Sequence, residues 1–267
     1  MKWIEHGDGV FSKRYQSLDL NVGAIVCEDG LLIIDTRAHH RQARELVEDL
    51  KTISDLPVRW IINTHHHWDH TFGNGEFHEV DIWGHERCRT NLADHGAAML
   101  ARVRKMSPRQ AADFDEVLIV PPNKTVADAA DVDFGGRMIE MRYLGRGHTD
   151  NDLVITVPDA GVVFAGDLIE NGAPPAFGDA FPMEWPETVE TLTDMITDAV
   201  VPGHGAPTDR PFVDAQQADL AAVADLARQR HADGMTVAAA AAAGGPFPEA
   251  TLSEAFDRAW IQLGSGS

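Results

Sequence analysis

The stretch of this chain that decides its interpretation reads Asn63-Thr64-His65-His66-His67-Trp68-Asp69-His70. Its four imidazoles and one carboxylate fall within six positions, and such clusters are typical of ligands to transition-metal ions. This donor set suits zinc, and also iron, manganese or nickel. A single tetrahedral ion cannot use all five groups. The stretch therefore indicates either two ions, or one ion with side chains that do not bind it.

The geometry of an extended chain divides these side chains into groups. An apolar run precedes the stretch and predicts a strand that leads into it. Because side chains alternate along an extended segment, His65 and His67 point to the same side and could share one ion, whereas His66 points away. Asp69 and His70 lie at the turn into the next element, where they could reach a neighbouring ion. We therefore expect His66 not to be a ligand.

Three later side chains share one sequence setting, because each lies on a glycine-bearing loop at the end of an apolar run. They are His148 in Gly147-His148-Thr149, Asp167 in Gly166-Asp167, and His204 in Gly203-His204-Gly205. Glycine at such positions lets the backbone approach an ion closely. A lone Gly-His pair is weak evidence, but the recurrence of this setting along one chain predicts a metal centre.

The remaining sequence predicts a mixed architecture of strands and helices. Short runs rich in Val and Ile predict strands at Val22–Cys27, Leu31–Asp35, Trp60–Asn63, Asp81–Trp83, Val117–Val120, Met138–Leu144, Leu153–Val157, Val162–Ala165 and Val200–Pro202. Apolar spacing predicts helices at His39–Ile53 and Glu187–Ala199, and, in an alanine-rich tail, at Val213–His231, Thr236–Ala243 and Thr251–Leu263. Strand-rich segments with a helix between strands occur in both halves. This repetition predicts two sheets packed face to face with helices outside.

The string His65-x-His67-x-Asp69-His70, followed by the three glycine-bearing loops, resembles the metallo-β-lactamase superfamily over roughly residues 17–208. The resemblance implies an α/β (α+β) fold, namely a four-layer αββα sandwich with the metals at one edge of the paired sheets. We expect residues 1–210 to form this catalytic domain and residues 211–267 to form a C-terminal helical extension packed on it.

The resemblance also implies which residues bind the metals. The implied ligands are His65, His67 and His148 for the first metal, Asp69, His70 and His204 for the second, and the carboxylate of Asp167 as a bridge between them. Asp69 is in addition expected to be catalytic, because it could orient the nucleophile or shuttle its proton.

The chemistry implied by this ligand set is hydrolysis. A dinuclear zinc-dependent hydrolase of this type uses a metal-bridging hydroxide to attack the carbonyl of a small lactam, lactone, ester or thioester. Iron or manganese could take the place of zinc. Two alternatives stay open: a mononuclear iron enzyme similar to persulfide dioxygenases, which would be an oxidoreductase, and a non-catalytic metal-binding protein.

Two positions separate this chain from one subgroup of that superfamily. The zinc β-lactamases with a cysteine ligand have Cys where this chain has Asp167, and many have Lys where it has Glu170. The ligand set resembles that of glyoxalase II thioesterases and quorum-signal lactonases. Glyoxalase II binds glutathione with basic residues of its C-terminal helical part, and this tail has almost none. The sequence therefore leaves the substrate class open.

Two segments are candidates for the walls of a substrate pocket. The loop Gly172–Trp185 is rich in aromatic residues, and Ala93–Met106 could form a helical lid. The predicted pocket residues are Trp68, Phe72, Phe177, Phe181 and Trp185. Packing of both segments in the core is an equal alternative. If they line a pocket, their apolar character favours a small-molecule substrate that is neutral or weakly charged.

Composition restricts the partners and the compartment. The formal net charge of −20 disfavours binding to nucleic acid and to acidic membranes, because such a surface repels phosphate groups. No segment approaches the length of an apolar membrane span, and the first residues lack the apolar core of a signal peptide, so we expect a cytoplasmic protein. The apolar C-terminal helices could form a homodimer interface as readily as they could cap the sandwich.

Overall fold

The computed structural model describes residues 1–77 and 80–264, which form two β-sheets packed face to face between layers of helices. The first sheet contains, in chain order, β1 (Ile4–Gly7), β2 (Val10–Arg14), β3 (Asn21–Val26), β4 (Leu31–Ile34), β5 (Val58–Ile62), β6 (Asp81–His85) and β7 (Lys124–Val126). Strands β1 to β4 are antiparallel to their neighbours, whereas β4 to β7 run parallel.

The second sheet is built from the later strands. These are β8 (Ala129–Phe134), β9 (Arg137–Tyr143), β10 (Leu153–Val157), β11 (Val162–Asn171) and β12 (Ala199–Gly205). They lie in the spatial order β12–β11–β10–β9–β8. Strands β8 to β11 are antiparallel, and β12 joins β11 in parallel.

Helices cover the outer faces of both sheets. They are α1 (His40–Leu50), α2 (Trp68–Thr71), α3 (Glu86–Met106), α4 (Trp185–Thr193), α5 (Arg210–Ala232), α6 (Val237–Ala242) and α7 (Glu249–Gly264). No helix among the described residues is both long enough and apolar enough to cross a membrane.

The continuous apolar run of β4 shows how the sheets and helices form layers. Side chains alternate along a strand, so a strand whose residues are all apolar needs cover on both faces. Leu32 and Ile34 pack into the core between the two sheets, whereas Leu31 and Ile33 pack with Leu46 of α1 on the outer face. The layers are therefore helix, sheet, sheet and helix, as the sequence predicted.

The C-terminal helices pack on the outer face of the second sheet. Leu220 of α5 and two residues of α7, Leu252 and Phe256, are buried in one cluster with Val163 and Leu168 of β11. The helices of the tail thus share a core with the strand that carries Asp167.

The strand predicted at Val117–Val120 is wrong. These residues lie outside any strand, and the edge strand begins later, at Lys124. Pro121 and Pro122 follow directly, and proline has no N–H group to donate to a sheet. Val117 is nevertheless buried, because it packs in a cluster with Phe114 beneath α3.

Candidate metal centre

The predicted ligands all come to one edge of the sandwich. The segment from His65 to His70 follows β5 and continues into α2, and His148 lies in the loop between β9 and β10. Asp167 and His204 lie within the neighbouring parallel strands β11 and β12.

The first group of potential ligands consists of His65, His67, His148 and Asp167, whose ligand atoms all lie within 4.8 Å of one another. Nδ1 of His67 lies 2.9 Å from Nε2 of His148. Nε2 of His148 in turn lies 3.4 Å from Oδ2 of Asp167. Three imidazoles and a carboxylate thus converge on one small volume.

The second group consists of Asp69, His70 and His204, whose ligand atoms also lie within 4.8 Å of one another. The carboxylate of Asp167 reaches this group too. Its Oδ1 lies 3.2 Å from Nε2 of His70, and its Oδ2 lies 3.3 Å from Nε2 of His204. Asp167 therefore contacts both groups, which is the position that a bridging ligand requires.

Each of the five histidines directs one ring nitrogen, the inner one, at the cluster. Its other ring nitrogen, the outer one, contacts the surrounding protein. The contacts are His65 Nδ1 to Thr64 Oγ1 at 3.0 Å, His67 Nε2 to Asp179 Oδ1 at 3.0 Å, His70 Nδ1 to Asp35 Oδ2 at 2.8 Å, His148 Nδ1 to the Ala176 carbonyl at 3.2 Å, and His204 Nδ1 to the Leu18 carbonyl at 2.7 Å. Carboxylates and carbonyls only accept, and the Thr64 hydroxyl donates its proton to Asp35. Each outer nitrogen is therefore the donor, so the inner nitrogen of a neutral ring directs a lone pair at the cluster.

Two buried atoms at the centre fit the presence of cations. Within the described part of the chain, Nε2 of His65 and Oδ1 of Asp167 are buried and make no hydrogen bond. An unsatisfied buried polar atom costs about 1–3 kcal/mol, so such atoms need an explanation. Coordination would satisfy both atoms, and the nitrogen and oxygen donor set suits zinc.

The charges of the cluster are consistent with ion binding. Burial lowers the pKa of His148 to about 4 and holds the pKa of His65 well below its ordinary value, so both rings are neutral at neutral pH. Burial would also lower the pKa of His204, but the carboxylates of Asp167 and Asp69 outweigh this effect and raise that pKa to about 12. The carboxylates thus favour positive charge at a point where a cation could replace the proton.

Two backbone features hold these side chains in place. A Cβ atom added to Gly203 would lie 1.8 Å from Oδ1 of Asp167, so only glycine lets β12 approach that carboxylate. Asp35, directly after β4, has a left-handed backbone with φ of 64°. Its carboxylate accepts hydrogen bonds from the Thr64 amide, the Thr64 hydroxyl and Nδ1 of His70. Such a conformation in a non-glycine residue persists when the surroundings fix it.

The structure adds Asp179, which the sequence analysis missed. It contacts the outer nitrogen of His67, and its Oδ2 lies 3.7 Å from Nε2 of His66. His66, His67 and Asp179 form a third group of potential ligand atoms within 4.8 Å. The expectation that His66 is not a ligand stays a prediction. A signal was present, because Gly178-Asp179 repeats the Gly-Asp pair of the bridging residue.

A cavity of about 480 Å³ opens beside the cluster. Both candidate segments contribute to its wall: α3 supplies Met99, Arg102, Val103 and Met106, and the loop after β11 supplies Ala173, Ala176, Gly178 and Asp179. Ligands of both groups, among them His67, Asp69 and His204, line the same cavity. A substrate held in the cavity would therefore meet the cluster.

Of the five aromatic residues predicted to line the pocket, only Trp68 does so in the described part of the chain. Phe72, Phe177 and Trp185 are instead almost fully buried in the core. Trp185 packs its ring 5.6 Å from that of His148 and donates a hydrogen bond to the Leu168 carbonyl. Phe181 lies beneath the guanidinium groups of two arginines rather than in the wall. The structure therefore places these four residues outside the cavity wall, because three of the rings are more favourably buried in the core and that of Phe181 stacks against arginines.

Comparison with known families identifies the chain. A model of the metallo-β-lactamase superfamily matches residues 19–204, a segment that includes every proposed ligand. The chain belongs to the metallo-β-lactamase superfamily. The metallo-β-lactamase type 2 of Bacillus cereus is 24% identical over 213 residues, which cover 78% of this chain and 75% of that protein. The linear primary-alkylsulfatase of Pseudomonas sp. (strain ATCC 19151) is 24% identical over 216 residues, covering 68% of this chain and 41% of the alkylsulfatase.

Solved structures confirm the αββα fold of this superfamily member. A metallo-β-lactamase from Pontibacter korlensis aligns with a TM-score of 0.68 at 21% identity, covering 82% of this chain and 98% of that one. The stereoselective inverting sec-alkylsulfatase Pisa1 from Pseudomonas sp. aligns with a TM-score of 0.79 at 17% identity, covering 98% of this chain and 50% of that one. The chain is a hydrolase of the metallo-β-lactamase superfamily with a histidine and aspartate cluster that could bind metal.

Proposed function

We propose that this superfamily hydrolase binds two zinc ions and cleaves a small carbonyl compound, namely a lactam, lactone, ester or thioester. The observation that carries the proposal is the position of Asp167, whose carboxylate contacts the histidines of both ligand groups. His65, His67 and His148 would hold the first ion, and Asp69, His70 and His204 the second. Zinc, when bound, would supply a water of lowered pKa as nucleophile and polarise the substrate carbonyl.

The residues of the chain have separate roles in this proposal. The five donated hydrogen bonds fix the ring orientations, so the ligand atoms are organised before substrate arrives. Asp69 lines the cavity, and its Oδ2 lies 3.4 Å from Nε2 of His204. From this position the carboxylate could accept a proton from the attacking water and pass it to the leaving group.

The cavity wall favours a substrate with an apolar body. Met99, Val103 and Met106 lie on one face of α3, with helical spacing, and line the cavity. Two large apolar residues of the cavity wall are exposed to solvent. The exposed fraction is 44% for Leu18 and 68% for Met106. Arg102 is on the same face and has no ion-pair partner in residues 1–77 and 80–264. One negative group on the substrate could therefore bind there.

A second candidate is hydrolysis of a sulfate ester of an alkyl alcohol. The observation in its favour is the similarity to the sec-alkylsulfatase, which extends over 98% of this chain and therefore into the C-terminal helices. The apolar face of α3 would suit an alkyl chain equally well.

The mononuclear iron alternative predicts about one iron and no zinc per chain, and elemental analysis of protein purified without added metal distinguishes it.

The proposal is tested with a substrate panel on the zinc-loaded enzyme. The panel contains a chromogenic cephalosporin, an acyl-homoserine lactone, S-lactoylglutathione, an aryl ester and a secondary alkyl sulfate. We expect turnover of a carbonyl substrate, and we expect His65→Ala and His148→Ala to lose turnover and metal together. The matched control is His95→Ala, which removes an exposed histidine of α3. A His65→Ala variant that is active without metal would refute the proposal, and turnover of the sulfate alone would favour the second candidate.

A further inference from the structure

The last helix, α7, contacts the loop that carries Asp179, although it lies outside the segment matched by the family model. Nε of Arg258 donates a hydrogen bond to the Ala180 carbonyl at 3.0 Å, and its terminal nitrogen donates to the Asp179 carbonyl at 3.1 Å. The same guanidinium lies 5.7 Å from the ring centroid of Phe181. One arginine of α7 thus holds three consecutive residues of the loop.

A second side chain of α7 holds the loop a few residues further on. The side-chain carbonyl of Gln262 accepts a hydrogen bond from the Met183 amide at 3.0 Å, and its amide donates to Glu184 at 2.9 Å. The loop is therefore attached to α7 at both ends of the segment 179–184. Its position depends on a helix of the C-terminal extension.

The loop in turn fixes a proposed metal ligand. The carboxylate of Asp179 accepts from Nε2 of His67, with oxygens at 3.0 and 3.1 Å. This contact turns Nδ1 of His67 toward His148, at 2.9 Å. The side chain of His67 is 20% exposed, whereas that of His70 is fully buried. His67 therefore depends on Asp179 for its orientation more than His70 depends on any loop.

We infer that Asp179 and Arg258 are positioning residues, and that α7 sets the zinc affinity of the first ligand group through them. The inference rests on the metal centre of the proposed function. Arg258 fixes the backbone of Asp179, Asp179 fixes the ring of His67, and His67 presents Nδ1 to the ion. The C-terminal helix is thus part of the metal site without supplying a ligand.

The test is a zinc titration against a chromophoric chelator, with both binding steps resolved. Loss of a carboxylate behind a metal-binding histidine weakens the metal by about 10–100-fold, and we expect this range for the first ion in Asp179→Asn. Arg258→Met should weaken the same ion by a smaller factor, about threefold to tenfold, because it loosens the loop without removing the carboxylate. Arg258→Lys should not restore affinity, since a single ammonium cannot reproduce the paired donors of a guanidinium.

The controls separate this inference from the proposed function. Arg228→Met removes an exposed arginine of α5, whose partner is Asp225, and should leave both zinc affinities unchanged. Retention of the second ion shows that a variant is folded. The double variant should weaken the first ion by less than the product of the two single effects, because both act through His67. Wild-type protein without zinc affinity would overturn the proposed function, whereas wild-type affinity in Asp179→Asn would overturn this inference alone.

Discussion

Asp35 and Asp179 perform the same task at the two halves of the cluster, but in different surroundings. Asp35 accepts from His70 and its side chain is 3% exposed, at the end of a central strand. Asp179 accepts from His67 and its side chain is 49% exposed, on a loop. His70 of the second ligand group is therefore anchored in the sheet, whereas His67 of the first group depends on a surface segment held from outside by α7.

This difference separates a rigid half of the site, held by Asp35, from an adjustable half, held by the loop that carries Asp179. Thr64 and His70, which donate hydrogen bonds to Asp35, are buried. Loss of any of these hydrogen bonds would therefore lower the free energy of unfolding. The loop with Asp179 also forms part of the cavity wall, so movement there would affect the substrate and His67 together. We expect variants of the rigid half to change stability and variants of the adjustable half to change affinity.

The largest effect is expected for Asp35→Ala, which tests the rigid half. The variant leaves the Thr64 amide, the Thr64 hydroxyl and Nδ1 of His70 without their acceptor. We expect the free energy of unfolding to fall by about 3 kcal/mol or more, with loss of the second zinc ion. Urea unfolding and elemental analysis measure both. Asp29→Ala, which breaks an exposed pair with Arg59, should cost less than about 1 kcal/mol, and equal effects of the two variants would contradict the comparison.

A smaller effect is expected for Gly203→Ala, which tests the point where the two halves meet. The added methyl group would overlap the carboxylate of Asp167, so that carboxylate must move away from one of the ligand groups. We expect a loss of about 1–3 kcal/mol in unfolding free energy and a fall in zinc content from two ions toward one. Gly84→Ala is the control and should leave the zinc content unchanged, since its methyl group would overlap Pro122 and not a ligand. Unchanged zinc content in Gly203→Ala would show that Asp167 does not need this approach.

The smallest effect is expected for Arg102→Gln, which tests the wall that α3 contributes to the cavity. If Arg102 binds a negative group of the substrate, KM for an anionic substrate should rise about tenfold while kcat stays similar. KM for a neutral analogue of the same substrate should not change. Arg89→Gln makes the same charge change on α3, away from the cavity, and is the control. An equal rise in KM for the charged and the neutral substrate would argue against this role.

The sequence predicted the parts of the molecule that depend on local pattern. Apolar runs located β4, β10 and the ligand loops, because strand ends and glycine-bearing turns are encoded within a few residues. It missed β2, where Ser12 and Lys13 interrupt the apolar pattern although both are buried. Lys13 is buried because it pairs with Asp49, 36 residues away in the chain, at 2.6 Å. Partners so distant in the chain leave no periodic signal.

The same reason explains the errors around the site. Asp179 lies in an irregular loop, and only the fold shows that it reaches His67, 112 residues earlier. The aromatic residues of that loop lie close to Asp167 in sequence, and this proximity predicts them in the pocket wall. In the structure Phe177 and Trp185 support the core beneath the cluster, and α3 supplies the apolar wall instead. Which face of a loop meets solvent is decided by packing between distant elements.

The most direct test of the central claim is the number of zinc ions bound by the wild-type chain and by Asp167→Asn. We expect about two equivalents of zinc in the wild type, because Asp167 contacts both ligand groups. In Asp167→Asn one equivalent should be lost, while the unfolding transition of the metal-free protein remains cooperative. One equivalent of metal in the wild type, or two in Asp167→Asn with unchanged affinities, would contradict a shared dinuclear site.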